Sequence, residues 1–342
     1  GFESSHEDIQ YYYNRRDIPD NGEDDDDNGA KDDYLGYNPE LDNGNINSSQ
    51  ANHGMPVIGT AAAIGNNKIG VAGVAWNAQV LPISGLSILS VIRGMDYCIN
   101  MRRLHQITSG QRGAYIVAIN LSIGGEGFRV EDEPLWCDMY DKIGQVGILA
   151  TCAATNLNGD VATKGDLPTL CRKPNMITST TLNSTTLGLD GHGYSDQYVD
   201  LAAPNNVYTI STNNGYAYAA SGTSFTAPQV AGAIALMYSN FSKAFLDSLK
   251  SNPKISALKI RSAIVNNVDK TTALTGKVVT GGKLNLFKPV QIAKQLEDSL
   301  KPRASVGIVT TGNDPTLYYA DKKIYISKSN TIPLSIRLHN LL

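Results

Sequence analysis

Residues 221–232 read Ser221-Gly222-Thr223-Ser224-Phe225-Thr226-Ala227-Pro228-Gln229-Val230-Ala231-Gly232, and the chain continues Ala233-Ile234-Ala235-Leu236-Met237-Tyr238, small and apolar on nearly every side. Such a run predicts a buried helix. Proline lacks the amide hydrogen that an interior turn needs, so Pro228 fixes the helix start a residue or more earlier and puts Ser224 at or beside its N-terminus. Unpaired amides and the positive dipole end favour negative charge there, as an acyl-transfer oxyanion requires. A serine in this place also serves as a plain N-cap. Residues elsewhere in the chain have to decide between the two.

Three further stretches carry the decision. Asn52-His53-Gly54-Met55-Pro56-Val57-Ile58-Gly59 again places a proline in the first turn of a small-residue helix, with a reactive side chain just before it. Tyr115-Ile116-Val117-Ala118-Ile119-Asn120-Leu121-Ser122-Ile123-Gly124-Gly125 is an apolar run ending in glycines, as a central parallel strand opening onto a site should be. Val146 to Asn156 reads as the next strand and ends in an amide side chain. Together with Gly-Thr-Ser, the proline four residues on and the glycine four after that, these strings resemble the subtilase family, the subtilisin-like serine proteases. The likeness is to the secreted bacterial type with an acidic insertion before the histidine motif. It covers about residues 1–295, with histidine, asparagine and serine in the family's order. Met55 stands where the family has threonine, and Thr155 where it has glycine.

The resemblance implies an α/β fold, doubly wound around a mainly parallel sheet with helices on both faces and the site at the strands' carboxyl ends. It implies Ser224 as nucleophile, His53 as general base and Asn156 as oxyanion donor, with Asn158 as the fallback. An extended peptide or protein substrate would lie between Ser84-Gly85-Leu86 and Ser122-Ile123-Gly124; a propeptide or protein inhibitor could use the same edges. Taken alone, Asn156 is equally a turn residue. The family's catalytic aspartate belongs to a motif whose final glycine would be Gly1, so the aspartate is expected just before the first residue. Two rivals stay open: a peptide-binding module that has lost the chemistry, and a macrocyclase that passes the acyl group to an amine.

Two cation sites are expected, both for structural Ca2+. In Asn21-Gly22-Glu23-Asp24-Asp25-Asp26-Asp27-Asn28-Gly29-Ala30-Lys31-Asp32-Asp33, residues Asp24, Asp26, Asn28 and Asp32 have roughly the spacing of the first part of an EF-hand loop, without its closing glutamate. A solvated acidic loop is the other reading. By family likeness, Gly65, Ile69 and Val71 carbonyls with the Asn67 and Asp8 side chains would form a second oxygen cage, unless the segment is a bare turn.

Composition bounds the rest. The chain has 342 residues, is 42% hydrophobic and carries a net charge of -3, enough for one large domain and a small appendage. No basic, aromatic-interleaved patch suits a nucleic acid. The chargeless run Asn213 to Asn240 contains Gly, Pro, Gln, Ser and Thr, so it reads as core and not as a transmembrane segment. No signal peptide precedes Gly1, as in a processed or trimmed product. Cys98, Cys137, Cys152 and Cys171 permit three disulfide pairings or four buried thiols. The family layout implies Cys98 with Cys137 and Cys152 with Cys171, in a secreted or cell-surface protein. The peptidase domain is expected over 1–297. From 298 to 342 the pattern turns alternating and β-branched, as in Lys323-Ile324-Tyr325-Ile326-Ser327, suggesting the start of a C-terminal β domain.

Overall fold

Strands with no polar face form the centre. Residues Leu149–Ala153 and Met176–Leu182 are buried along their whole length, as parallel strands covered on both sides must be. The computed structural model describes residues 1–47 and 51–300, together with 305–309, 319–320, 323–324 and 335–339. Contacts divide the chain into two units, Gly1–Gln295 and Leu296–Leu342.

In the first unit, helices α1 (Ala51–Ala62) and α2 (Ile88–Ile107) precede strand β1 (Ala118–Leu121). Helix α3 (Pro134–Gln145), β2 (Leu149–Ala153), β3 (Met176–Leu182) and β4 (Leu201–Pro204) follow. Helices α4 (Ala227–Ser239) and α5 (Pro253–Val265) and the short strands β5 (Asp269–Lys270) and β6 (Gly282–Lys283) complete the core. The sheet runs β1-β2-β3-β4-β6-β5; only the β5–β6 pair is antiparallel. This is the mainly parallel, two-faced α/β fold expected. Strand β1 is shorter than the apolar run that announced it, because Gly125–Glu126 leaves the sheet to pair antiparallel with Asp166–Leu167. Ahead of α2, isolated parallel bridges join Tyr11 with Val80 and Tyr37 with Ile83.

Period-two alternation sorts the two faces. Ala150 and Cys152 of β2 join a cluster with Met95, Cys98 and Ile99 of α2 and Tyr140 and Ile143 of α3. Ser179 of β3 turns to the other side, where its hydroxyl meets that of Thr226 at 2.8 Å, just ahead of α4. Helices α1 and α4 lie close on that side: a Cβ on Gly232 would fall 2.9 Å from the Ala61 carbonyl and 2.5 Å from the Val74 side chain. One buried carboxylate ties the far end of the sheet: Asp200 takes Arg172 and Arg261 at 2.8 Å each and the Thr178 amide at 2.9 Å.

The disulfide pairing differs from expectation. Cys137 and Cys171 are bonded with their Cα atoms 5.1 Å apart, while Cys98 and Cys152 are buried free thiols. Alternation aims Cys152 from the middle of β2 into the apolar layer, where its sulfur sits 4.0 Å from the Tyr140 hydroxyl. Cys171 instead ends the single turn Thr169–Cys171 that meets α3. Burial pushes the Cys98 thiol up to about 12 and the Cys152 thiol up as well, so both behave as small apolar side chains.

In the second unit, Ser305–Val309 pairs antiparallel with Ser335–His339, and Tyr319–Ala320 with Lys323–Ile324. Tyr325, Ile326 and Ser327 of the expected strand lie outside the described residues.

Candidate active site

The serine motif folds as a single tight turn, Thr223–Phe225, running straight into α4 with Pro228 in its first turn. Ser224 is half-buried. Its turn is fastened to the end of β1: the Ser122 hydroxyl donates to the Ser224 carbonyl at 2.7 Å, and the Ser224 hydroxyl lies 3.5 Å from the Ser122 carbonyl. Behind Ser122 the bonding continues into the sheet. The Asn120 amide donates to Ser122 Oγ at 3.0 Å, and the Thr151 hydroxyl donates to Asn120 Oδ1 at 3.1 Å. Asn120 and Thr151 were not legible as site residues, because a polar residue inside an apolar strand gives no sign of the partner it meets across the sheet.

Asn156 follows β2 and lies exposed against the same turn. Its Oδ1 accepts the Thr223 amide at 3.0 Å and the Thr223 hydroxyl at 3.0 Å. That leaves the Nδ2 hydrogens to point elsewhere, as an oxyanion donor requires. The fallback Asn158 offers only its backbone carbonyl, to Lys164.

His53 sits in the first turn of α1, half-buried, with its ring centroid 6.0 Å from that of Phe225, the residue after Ser224. Burial holds its imidazole below the usual range. Gly1 lies against α1: a Cβ on Gly54 would fall 1.9 Å from the Gly1 carbonyl oxygen. Among the described residues no carboxylate is hydrogen-bonded to His53.

Of the two segments expected to bind substrate, Gly85 and Leu86 of one and Ser122 and Ile123 of the other line a common cavity with His53. Ser84 is buried and donates its amide to the Tyr37 carbonyl at 2.9 Å, whereas Leu86 is exposed. Glu40, which the sequence did not single out, holds the segment: its Oε1 accepts the amides of Leu86 at 3.1 Å and Ser87 at 2.9 Å, which keeps its carboxyl below the usual range. Ser87 then caps α2. On the other edge, Gly124 lies so close to the Leu167 carbonyl that a Cβ would fall 2.6 Å from it. Behind it Asp166, buried, accepts the Thr155 amide at 2.9 Å and the Thr169 hydroxyl, and burial pushes its carboxyl up to about 7.

Of the expected cation ligands, Asp8, Asn67 and Val71 are brought together. Asp8 Oδ1 accepts the Asn67 amide at 2.7 Å and Oδ2 the Val71 amide at 2.9 Å; Gly65 packs on the Trp76 ring and Ile69 is exposed. In the acidic loop, Asp24 and Asp32 close turns instead of converging. Asp24 accepts the Asn28 and Gly29 amides at 3.1 and 2.8 Å, and Asp32 those of Asn21 and Gly22 at 2.8 and 3.0 Å. Asn28 donates to Asp33 at 2.8 Å. Asp26 Oδ1 and Asp17 Oδ2 are buried with no hydrogen-bond partner. Among the described residues no three His, Cys, Asp or Glu side chains converge as a metal-ligand group.

Comparison with known proteins gives the same picture. The pattern of the subtilase family matches residues 1–287. The chain is 25% identical over 302 residues to Subtilisin-like protease 1 of Plasmodium berghei, covering 81% of this chain and 45% of that protein. With thermitase of Thermoactinomyces vulgaris it is 27% identical over 260 residues, covering 73% and 79%. The chain thus spans about half the length of the Plasmodium relatives it matches. Among solved structures, the epidermin leader peptide processing serine protease from Staphylococcus aureus superposes with a TM-score of 0.59 at 18% identity over 86% of this chain and 74% of that one. A cold adapted subtilisin-like serine proteinase gives 0.55 at 22% identity over 82% and 85%. With its fold, the order of its motifs and a family match over most of its length, this chain belongs to the subtilase family.

Proposed function

We propose that the chain is the core of a serine endopeptidase that hydrolyses peptide bonds through an acyl-enzyme on Ser224. What supports this is that the residues on either side of Ser224 touch the other two segments: Thr223 bonds Asn156 at 3.0 Å, and the Phe225 ring lies 6.0 Å from that of His53, while Ser224 itself is tied to Ser122 at the end of β1. Ser224 Oγ attacks the carbonyl carbon while His53 takes the hydroxyl proton. The C–N bond then breaks as that proton passes to the leaving amine, and water repeats the sequence to release the acid. Asn156 Nδ2 and a backbone amide of the Ser224 turn hold the oxyanion. The peptide lies extended between Ser84-Gly85-Leu86 and Ser122-Ile123-Gly124. An aspartate two residues ahead of Gly1 would orient His53, and the proximity of Gly1 to the imidazole supports that placement. Loss of that carboxylate costs about ten-thousandfold in turnover.

Calcium is part of this reading. In the acidic loop the orphaned oxygens of Asp17 and Asp26 would be its carboxylate ligands; at Asp8 both carboxylate oxygens already accept N–H donors, from Asn67 and Val71, which does not favour a second ion there. The ion would supply rigidity, leaving the chemistry to the protein's side chains. Secretion is supported by the disulfide and by an extracellular relative, the basic protease of Dichelobacter nodosus. The test is labelling with a fluorophosphonate. A folded chain should acquire one adduct, on Ser224, and Ser224→Ala none; a folded wild type that never reacts would favour a peptide-binding module.

A further inference from the structure

Leu121 of β1 and Cys152 of β2 are paired in the sheet, and beyond them the two segments part. Ala153 and Ala154 stay with Ser179 of β3, while Gly125 and Glu126 turn away to pair with Leu167 and Asp166. A peptide lying along Ser122-Ile123-Gly124, with its carbonyl at Ser224 and Asn156, drops the side chain ahead of the scissile bond into the gap so opened. What lines that gap therefore selects this side chain.

Two carboxyl groups from the far side of the gap meet at Thr155, the residue before Asn156. Asp166, 1% exposed, accepts the Thr155 amide at 2.9 Å through Oδ2, and Glu126, exposed, accepts the Thr155 hydroxyl at 2.8 Å through Oε1. Gly124 leaves the buried carboxyl uncovered, since a Cβ there would stand 3.6 Å from Asp166 Oδ1. Thus one carboxyl lies deep in the gap and the other at its mouth. The nearby cations are engaged elsewhere: Arg129 donates to the Ala162 and Thr163 carbonyls at 3.5 and 2.9 Å, and Lys164 to that of Asn158. Among the described residues neither Asp166 nor Glu126 is in an ion pair.

We propose that this gap takes the side chain of a lysine or arginine, its cation held between Asp166 Oδ1 and Glu126 Oε2, so that the enzyme cuts after basic residues. The preference rests on the serine-protease reading, which it narrows to a substrate class. Burial pushes the Asp166 carboxyl up to about 7 and the neighbouring Glu126 adds to the rise, so an incoming cation relieves both. An apolar side chain of the same length leaves the buried carboxyl without a charge partner, and an acidic one adds a further like charge.

The test uses peptide diphenyl phosphonates that differ only in the side chain beside phosphorus: lysine, norleucine or glutamate. In each, Ser224 Oγ bonds phosphorus and a phenol leaves with the proton. The lysine compound should label Ser224 about tenfold faster or more than the norleucine one, and the glutamate compound slowest of all. Asp166→Asn and Glu126→Gln should each shrink the lysine advantage, and the double variant should abolish it. Glu126→Gln, at an exposed position, serves if Asp166→Asn does not fold. A wild type that takes norleucine as fast as lysine, or variants that slow all the compounds alike, overturns the preference. Fluorophosphonate labelling of Ser224 in the same sample would then leave the hydrolase reading standing. A folded chain that no compound labels, the fluorophosphonate included, overturns both.

Discussion

At the scale of single residues, the chemistry depends on where each polar atom of the Ser224 turn is already engaged. Asn156 Oδ1 is occupied by Thr223, so the amide presents hydrogens to the site; Asn156→Ala should lower kcat by about 10²–10³ with little change in KM, measured on a peptide ester with the active form. Burial holds the His53 imidazole below its ordinary 6.5. The acid limb of Ser224 labelling should therefore fall below pH 6.5. A midpoint above 6.5 would contradict this. His53 and Ser224 were legible because the strings around them resemble the subtilase motifs in the family's order; alone, a serine ahead of a helix reads as a cap. Glu40, Asn120 and Thr151 were not, since each acts through a partner far away in sequence.

At the scale of elements, the site is set by close helix and strand contacts. Gly232 lets α4 approach the Ala61 carbonyl, so Gly232→Ala should cost about 1–3 kcal/mol through overpacking, read by chemical denaturation. In the Gly125–Glu126 and Asp166–Leu167 pair, burial raises the Asp166 carboxyl to about 7 against about 4 unfolded. The folded state thus binds the extra proton between those values, and this contribution to stability, full below pH 4, is lost as pH rises through 7. Asp166→Asn should flatten the fall in Tm between pH 4 and 7; an unchanged slope would show that the carboxyl ionises normally. Apolar patterning located β1 and β2; α1 and α4 came from their proline-marked starts, and β3 was not read from the sequence. That patterning overran β1, because nothing in an apolar run says where the sheet ends and a substrate edge begins.

For the molecule as a whole, the disulfide and the buried ion cluster bind distant segments. The Cys137–Cys171 bond closes a loop across a separation of 34 residues, and its removal should cost about 2–4 kcal/mol. Non-reducing peptide mapping should recover that pair alone, with Cys98 and Cys152 alkylated only after unfolding. Cysteine count could not choose the pairing, because the choice depends on which way alternation turns Cys152 within β2. The fold class, by contrast, was legible early: continuous apolar strands alternating with small-residue helices have few ways to pack. The proposed mechanism requires Ser224 and His53 to act as one unit, and mass mapping of the fluorophosphonate adduct over time tests that most directly. A single adduct on Ser224, lost in Ser224→Ala and markedly slowed in His53→Ala, is predicted. A folded chain that labels equally fast without the imidazole, or labels at another residue, would contradict it.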